Sequence, residues 1–175
     1  MLFRSLWGVT QFIAAPIAGE LSDVFGRKRL LLGGVGVLAL SQVLFGVGVE
    51  MGSLALLFVS RAIAGVAAGN AAIAQATIAD VTSPKDRAKS FGLIGAAFGL
   101  GFILGPLLAG WIAGFSADPA MPFWVAGVMA LGNMVFVAMF LPETNVRKPS
   151  SGRFNVWKGA RNIVAAVEDA QTRPL

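Results

Sequence analysis

The side chains best placed for ionic chemistry lie in residues 19–29, GELSDVFGRKR. Asp23 precedes three consecutive cations, Arg27, Lys28 and Arg29, and Gly26 lies between Asp23 and the first of them. Asp23 and Arg27 are four residues apart, a spacing at which side chains pair if a helix continues through them, whereas Gly26 permits a tight reversal of the chain. A carboxylate at a helix end can also face the N-terminus of a neighbouring helix. The charges alone equally fit a loop that only sets membrane topology.

The composition indicates an integral membrane protein. Of the 175 residues, 56% are hydrophobic and only 13% are charged, whereas a soluble domain has about 25% charged residues. The net charge of +5 does not favour nucleic acid as a partner, because the cations flank apolar segments. Anionic lipid headgroups and the positive-inside rule explain them better.

The residue inventory also limits catalysis. The chain has no Cys and no His, so disulfides, thiolate metal sites, zinc motifs and His-based catalysis are excluded. The acidic residues lie at the ends of apolar segments and in loops, without an evident pair inside the membrane. We therefore expect no enzyme and no metal site.

Five apolar segments are long enough, or nearly long enough, to span a bilayer, which needs about 20 residues. They predict an all-α membrane bundle over residues 1–145, followed by a polar, basic segment over 146–175 in which apolar residues recur at helical spacing. That segment is a candidate amphipathic helix on the membrane surface. The spans are expected at residues 6–21, 30–49, 54–79, 91–115 and 123–141.

The distribution of charge predicts the orientation. If the spans alternate, most of the 14 Lys and Arg fall on one side, in the loops after the first and third spans and in the tail. The opposite loops, 50–53 and 116–122, contain none. The positive-inside rule makes the basic side cytoplasmic. The N-terminus is then outside, which leads us to expect a further span before this segment.

The stretch 19–29 resembles the loop signature between the second and third helices of major facilitator superfamily transporters, Gly-x-Leu-x-Asp-Arg-x-Gly-Arg-Lys/Arg. Val24 departs from it, where a basic residue is usual. The matching residues are Gly19, Leu21, Asp23, Gly26, Arg27 and Lys28.

Arg61 lies about eight residues into the third span, where a charge is costly, by about 2.5 kcal/mol or more at the centre. One interpretation is that it snorkels to the outer interface; the other is that it lines a polar pathway or proton relay. Its spacing to Gly65 and Gly69 resembles the superfamily's fourth-helix signature, whose arginine is linked to proton coupling. The resemblance therefore favours Arg61 as a proton-coupling residue.

The fourth span is rich in glycine at GxxxG spacing, which allows helices to approach closely. Residues 101–110, GFILGPLLAG, resemble the fifth-helix antiporter motif of drug:proton antiporters. Ala109 departs from the Gly-Gly that tends to end that motif. The motif residues are Gly101, Gly105, Pro106 and Gly110.

The loop after the third span resembles the loop between the fourth and fifth helices of the same transporters. Its charged residues Asp80 and Arg87 are expected to lie near Asp23 and Arg27, because both loops share one face of the membrane. The four residues would then form one cytoplasmic charge network. The alternative is that Asp80 has only a structural role, as a helix cap.

Three intramembrane amides are candidates for the substrate path: Gln11, Asn70 and Gln75. Such amides more often form helix–helix hydrogen bonds. Gln11 matches a glutamine that lines the drug path in tetracycline efflux proteins.

The resemblance covers residues 6–144 and is closest to the tetracycline-resistance branch of the 12-helix drug:proton antiporters. It implies that the spans are helices two to six, that the tail begins the central cytoplasmic loop, and that helix one and the C-terminal half are missing partners. The implied activity is proton-driven efflux of a small amphiphilic compound across the plasma (inner) membrane, with a proton gradient and no cofactor. The alternative is a non-transporting membrane remnant or scaffold that needs a partner half.

Overall fold

The computed structural model of the protein describes residues 2–144, which form six helices and no strand. Polar turns that hold Gly26, Gly52 or Asp118 separate successive apolar segments, and α2, α3 and α6 begin shortly after these turns. The helices are α1 (Leu2–Phe25), α2 (Arg27–Glu50), α3 (Leu54–Ala67), α4 (Asn70–Val81), α5 (Arg87–Phe115) and α6 (Met121–Phe140).

Within residues 2–144, four helical segments are long and apolar enough to cross a membrane: Arg27–Glu50, Leu54–Val81, Arg87–Phe115 and Met121–Phe140. They correspond to the second to fifth expected spans. The first span belongs to α1, which has 24 residues but a less apolar sequence, because Thr10, Gln11 and Pro16 lie within it. The all-α membrane class is confirmed. The expected tail, 146–175, lies outside the described residues.

The segment expected as one span over 54–79 contains a short break at Ala68 and Gly69, between α3 and α4. Around the break the amide of Gly69 donates to Val66 O over 3.3 Å and that of Ala72 to Gly69 O over 3.1 Å. These are bonds to the third preceding residue, typical of a tighter 3₁₀ turn. The segment thus stays helical while its pitch changes near the middle of the expected span.

The second helix is the centre of the bundle. It packs against α3 on one side and α6 on the other, and α1 packs mainly against α3. Its buried side chains, which include Leu31, Val35 and Phe45, form much of the core. By contrast, no residue of α5 is buried.

Glycines allow the closest approach of helices. A Cβ added at Gly65 of α3 would overlap Thr10 Oγ1 and lie 2.8 Å from the carbonyl oxygen of Trp7. One added at Gly69 would lie 2.8 Å from the Cβ of Ala18. Trp7 and Ala18 are on α1. This helix therefore packs directly against the glycine backbone of α3 and of the break between α3 and α4.

Candidate functional site

The chain reverses between α1 and α2 at Gly26 alone. Its backbone has φ 97° and ψ 143°, a conformation that essentially only glycine adopts. A Cβ at this position would also lie 2.6 Å from Glu143 Oε2. Glycine is therefore required both by the turn and by the side chain that packs over it.

Immediately after the turn, the side chain of Arg27 joins three helices. Its Nη2 lies 3.1 Å from Asp23 Oδ1 at the end of α1, and its Nε donates to Asp80 Oδ2 near the end of α4. The Arg27 side chain is only 12% exposed, against 65% for Asp23 and 35% for Asp80. A guanidinium presents its donors in a rigid fork, so this one residue fixes the relative positions of three helix ends.

Ser22 completes the environment of Arg27. It is fully buried, donates through Oγ to Gly19 O over 2.6 Å, and accepts from Arg27 Nη1 over 3.1 Å. All three guanidinium nitrogens of Arg27 therefore have a partner. Sequence reasoning missed Ser22, although its position one residue before Asp23 places it beside the pair.

A second contact missed from the sequence joins the same turn to the end of α6. The backbone amide of Arg27 donates to Glu143 Oε1 over 2.9 Å, and Lys28 Nζ donates to Ala138 O over 2.8 Å. The carboxylate of Glu143 thus faces the N-terminus of α2, and the ammonium of Lys28 faces the C-terminal turn of α6. Both arrangements are favoured by the helix dipoles. The available signal was that Glu143 follows the last span on the basic side.

Arg87 does not join this cluster, contrary to the expected four-residue network. It is exposed at the start of α5 and forms no ion pair with Asp23 or Asp80 among residues 2–144. The physical reason is the loop before it, which closes on itself when Ser83 Oγ donates to Asp86 Oδ2 over 2.7 Å. Leu21, a residue of the predicted loop signature, instead lines a groove between helices.

Arg61 lies within a membrane span and toward the core of the bundle. Its guanidinium carbon is 4.6 Å from the ring centroid of Phe45 on α2, and that ring lies 4.2 Å from the ring of Phe123 on α6. Cation–π attraction strengthens where water is absent. At 1.5 Å per residue Arg61 lies roughly 10 Å from the start of α3, which places it inside the span. The ring of Phe45 therefore stabilises a positive charge within the membrane span.

The three candidate amides occupy different places. Asn70 donates through Nδ2 to Leu31 O over 3.3 Å and packs where Gly34 leaves room, so it is a helix–helix contact. Gln75 lines a groove of about 450 Å³ between α4 and α5. Gln11 on α1 lines neither that groove nor the one at Asn70. The described helices do not bring the amides together.

The antiporter-motif residues lie on an open helix. A Cβ added at Gly101, Gly105 or Gly110 would meet nothing within 4 Å, and α5 remains helical through Pro106. Gly101 also lines the α4–α5 groove, beside Phe98 and Phe102. These three glycines of α5 therefore make no close helix packing within residues 2–144.

The arrangement as a whole suits movement of helices rather than bond chemistry. At one end of the bundle, ion pairs of Arg27 and a hydrogen bond from its backbone amide to Glu143 tie α1, α2, α4 and the segment after α6 together. At the other end Trp124 Nε1 of α6 donates to Glu50 Oε1 of α2 over 2.9 Å. Such contacts can break and re-form without covalent change, as alternating-access transporters require.

Comparison with known sequences identifies several relatives. The chain is 35% identical over 144 residues to the class H tetracycline resistance protein of Pasteurella multocida, covering 82% of this chain and 35% of that protein. It is 37% identical over 139 residues to multidrug resistance protein 2 of Bacillus subtilis, covering 79% and 34% respectively. The chain thus spans about a third of the length of these relatives.

A solved structure agrees with these relatives. The crystal structure of the human organic anion transporter MFSD10 (TETRAN) superimposes with a TM-score of 0.72 at 36% sequence identity, covering 82% of this chain and 32% of that one. The family model of the Major Facilitator Superfamily matches residues 2–174. The protein is therefore a multi-pass membrane protein that belongs to the Major Facilitator Superfamily of transporters.

Proposed function

We propose that this chain contributes helices two to six of a proton-coupled antiporter that exports a small amphiphilic compound. The observation that carries the proposal is the Asp23–Arg27–Asp80 cluster, which joins the ends of α1, α2 and α4 at one membrane face. It stabilises one arrangement of these helices, and a transporter that alternates access needs such state-dependent contacts. The names of the tetracycline and multidrug resistance relatives support the amphiphilic substrate class.

Arg61 is the proposed proton-coupling residue. Its charge lies inside a span, next to Phe45, and intramembrane charges mark ion pathways and proton relays. A guanidinium stays protonated in proteins, so Arg61 would act by pairing with a carboxylate brought near it and not by releasing its own proton. That carboxylate would come from the rest of the transporter.

The second candidate substrate class is organic anions. One specific observation favours it, the match to the human organic anion transporter. The half-buried position of Arg61 within a span is compatible with either substrate, so transport assays should include both classes.

Uptake into energised everted vesicles tests the function, with tetracycline and a fluorescent organic anion as probes and Arg61→Gln as the variant. We expect uptake to require the proton gradient, to stop when an uncoupler is added, and to fall at least tenfold in Arg61→Gln but not in Lys85→Gln, which changes an exposed loop cation. Uptake that persists without a gradient would contradict proton coupling. The assay uses the intact transporter to which these helices are proposed to belong, and transport of neither probe by that inserted protein would favour the alternative of a non-transporting membrane scaffold.

The proposed orientation places the basic end and the tail in the cytoplasm of a cell with this protein in its plasma membrane. Because the chain has no Cys, single cysteines report on each side. An impermeant maleimide applied to intact spheroplasts should label Met51→Cys and leave Lys85→Cys unlabelled until the cells are lysed. The reverse pattern would overturn the orientation.

A further inference from the structure

A groove separates α1 from α2 in the half of the bundle near the basic loop, and the end of α3 and the start of α4 form its floor. Its volume is about 450 Å³ and it is open along one side. That volume is within the roughly 300–1,000 Å³ of sites that hold a small ligand. Apolar side chains dominate the lining, which includes Ile13, Ile17, Leu30, Val37 and Ile73.

The two polar side chains that line the groove each donate a hydrogen bond to a backbone carbonyl. Thr10 Oγ1 donates to Leu6 O over 2.8 Å, and Asn70 Nδ2 donates to Leu31 O over 3.3 Å. A polar ligand entering this groove would lose hydrogen bonds to water without gaining equivalent ones. The lining therefore favours a hydrocarbon chain over a polar solute.

The dimensions match one leaflet of a bilayer. Along α1 the lining runs from Thr10 to Leu21, a rise of roughly 16 Å at 1.5 Å per residue. The hydrocarbon core of one leaflet is about 15 Å thick, half of the usual 30 Å. An acyl chain lying along α1 would fill the groove over its whole length.

The mouth of the groove carries a positive charge. Arg29 is exposed and precedes Gly33, a lining residue of α2, by four residues, so both lie on one stripe of the helix. Arg27 and Lys28 already contact other groups of the protein, which leaves Arg29 as the cation at the start of α2 best placed for a ligand. Its charge complements a phosphate at the membrane surface.

We propose that this groove binds an anionic phospholipid from the leaflet at the basic end of the bundle. One acyl chain lies between α1 and α2, over Gly33, and the headgroup phosphate contacts Arg29. Neutral lipids would use the same groove with lower affinity. The bound lipid fills a space that the protein leaves open and so holds α1 at its distance from α2.

The probe is phosphatidylglycerol, compared with phosphatidylcholine of the same acyl chains, and the readout is retained lipid per protein by native mass spectrometry. We expect preferential retention of phosphatidylglycerol. Arg29→Gln should reduce that preference about fivefold, since a cation near the surface contributes about 1 kcal/mol toward anionic lipid. Lys85→Gln removes an exposed cation from another loop and should leave the preference unchanged.

A second pair of variants tests the acyl site. Gly33→Leu places a side chain in the groove, and a Cβ there meets nothing within 4 Å, so the helix itself is not strained. Gly132→Leu is the matched control on α6, where the space is also open. We expect Gly33→Leu, but not the control, to lose both lipids while helical content by circular dichroism is unchanged.

Ala14→Phe fills the same groove from α1 and should give the same loss of lipid, which provides a second test if Gly33→Leu does not fold. Retention equal to that of Gly132→Leu in the folded filling variants would overturn the acyl site. An equal effect of Arg29→Gln and Lys85→Gln would overturn the headgroup contact. These readouts do not involve transport, so they are independent of the proposed function.

Discussion

The backbone amide of Arg27 donates a hydrogen bond to the carboxylate of Glu143 over 2.9 Å, although 116 positions separate the two residues in the chain. The contact joins the first residue of α2 to the segment that follows α6. Since Gly26 has no side chain to cap α2, Glu143 supplies from a distance the acceptor that a local N-cap residue provides in other helices. The basic turn is therefore coupled to the last described helix.

Glu143→Ala should lower the free energy of unfolding by about 1 kcal/mol, the usual cost of losing a helix cap. Glu143→Gln keeps an oxygen acceptor for the Arg27 amide but loses the charge, so its cost should be smaller, roughly 0.3–1 kcal/mol. Denaturation of the chain in mixed detergent micelles, monitored by circular dichroism, measures both. Equal costs for the two variants would mean that the carboxylate acts through charge and not as a cap.

Arg27→Ala should destabilise the bundle by about 2 kcal/mol, because it removes charge-assisted hydrogen bonds to Asp80 and Ser22. Lys85→Ala is the matched control, since Lys85 is an exposed cation on the loop after α4, and should change stability by less than about 0.5 kcal/mol. The same denaturation assay applies. A difference of zero between the variants would show that the ionic cluster is not a stabilising contact in this chain.

Gly26→Ala should cost about 2 kcal/mol from backbone strain alone, and more because its Cβ would approach Glu143. Gly52→Ala is the control for strain without contact, because Gly52 also has positive φ, 61°, but open space around its Cβ position. The double variant Gly26→Ala/Glu143→Ala removes the clash. It should cost less than the sum of the two single variants, and strict additivity would contradict the contact.

Gly65→Ala should destabilise by about 1–3 kcal/mol, the usual cost of overpacking, because the carbonyl of Trp7 that it would meet is backbone and cannot turn aside. Gly99→Ala on α5 has open space and should be neutral or stabilising by up to about 1 kcal/mol through helix propensity. Thermal unfolding of both variants in one detergent gives the comparison. A Gly65→Ala variant as stable as Gly99→Ala would disprove the close α1–α3 contact.

Much of the site was predictable from local sequence. The i,i+4 spacing indicated that Asp23 and Arg27 can meet, and the alternation of spans placed Asp80 at the same membrane face. Ser22, Glu143 and the contact of Lys28 with Ala138 were not predictable in this way, because they depend on how α1, α2 and α6 pack. The same holds for the three candidate amides. Their place inside the membrane was predictable from the sequence, but the helix that each contacts was not.

Hydropathy and charge determine most of the secondary structure here, because a backbone in lipid must satisfy its hydrogen bonds within each span. That constraint is local, so spans, turns and the basic end follow from residue order, as does the family signature. Which helices touch is a property of packing between distant segments. Tertiary structure therefore decided that Arg27 contacts α1, α4 and the segment after α6, and that Arg61 lies over Phe45. It also decided that Arg87 lies outside the charge cluster and that the glycines of α5 face open space.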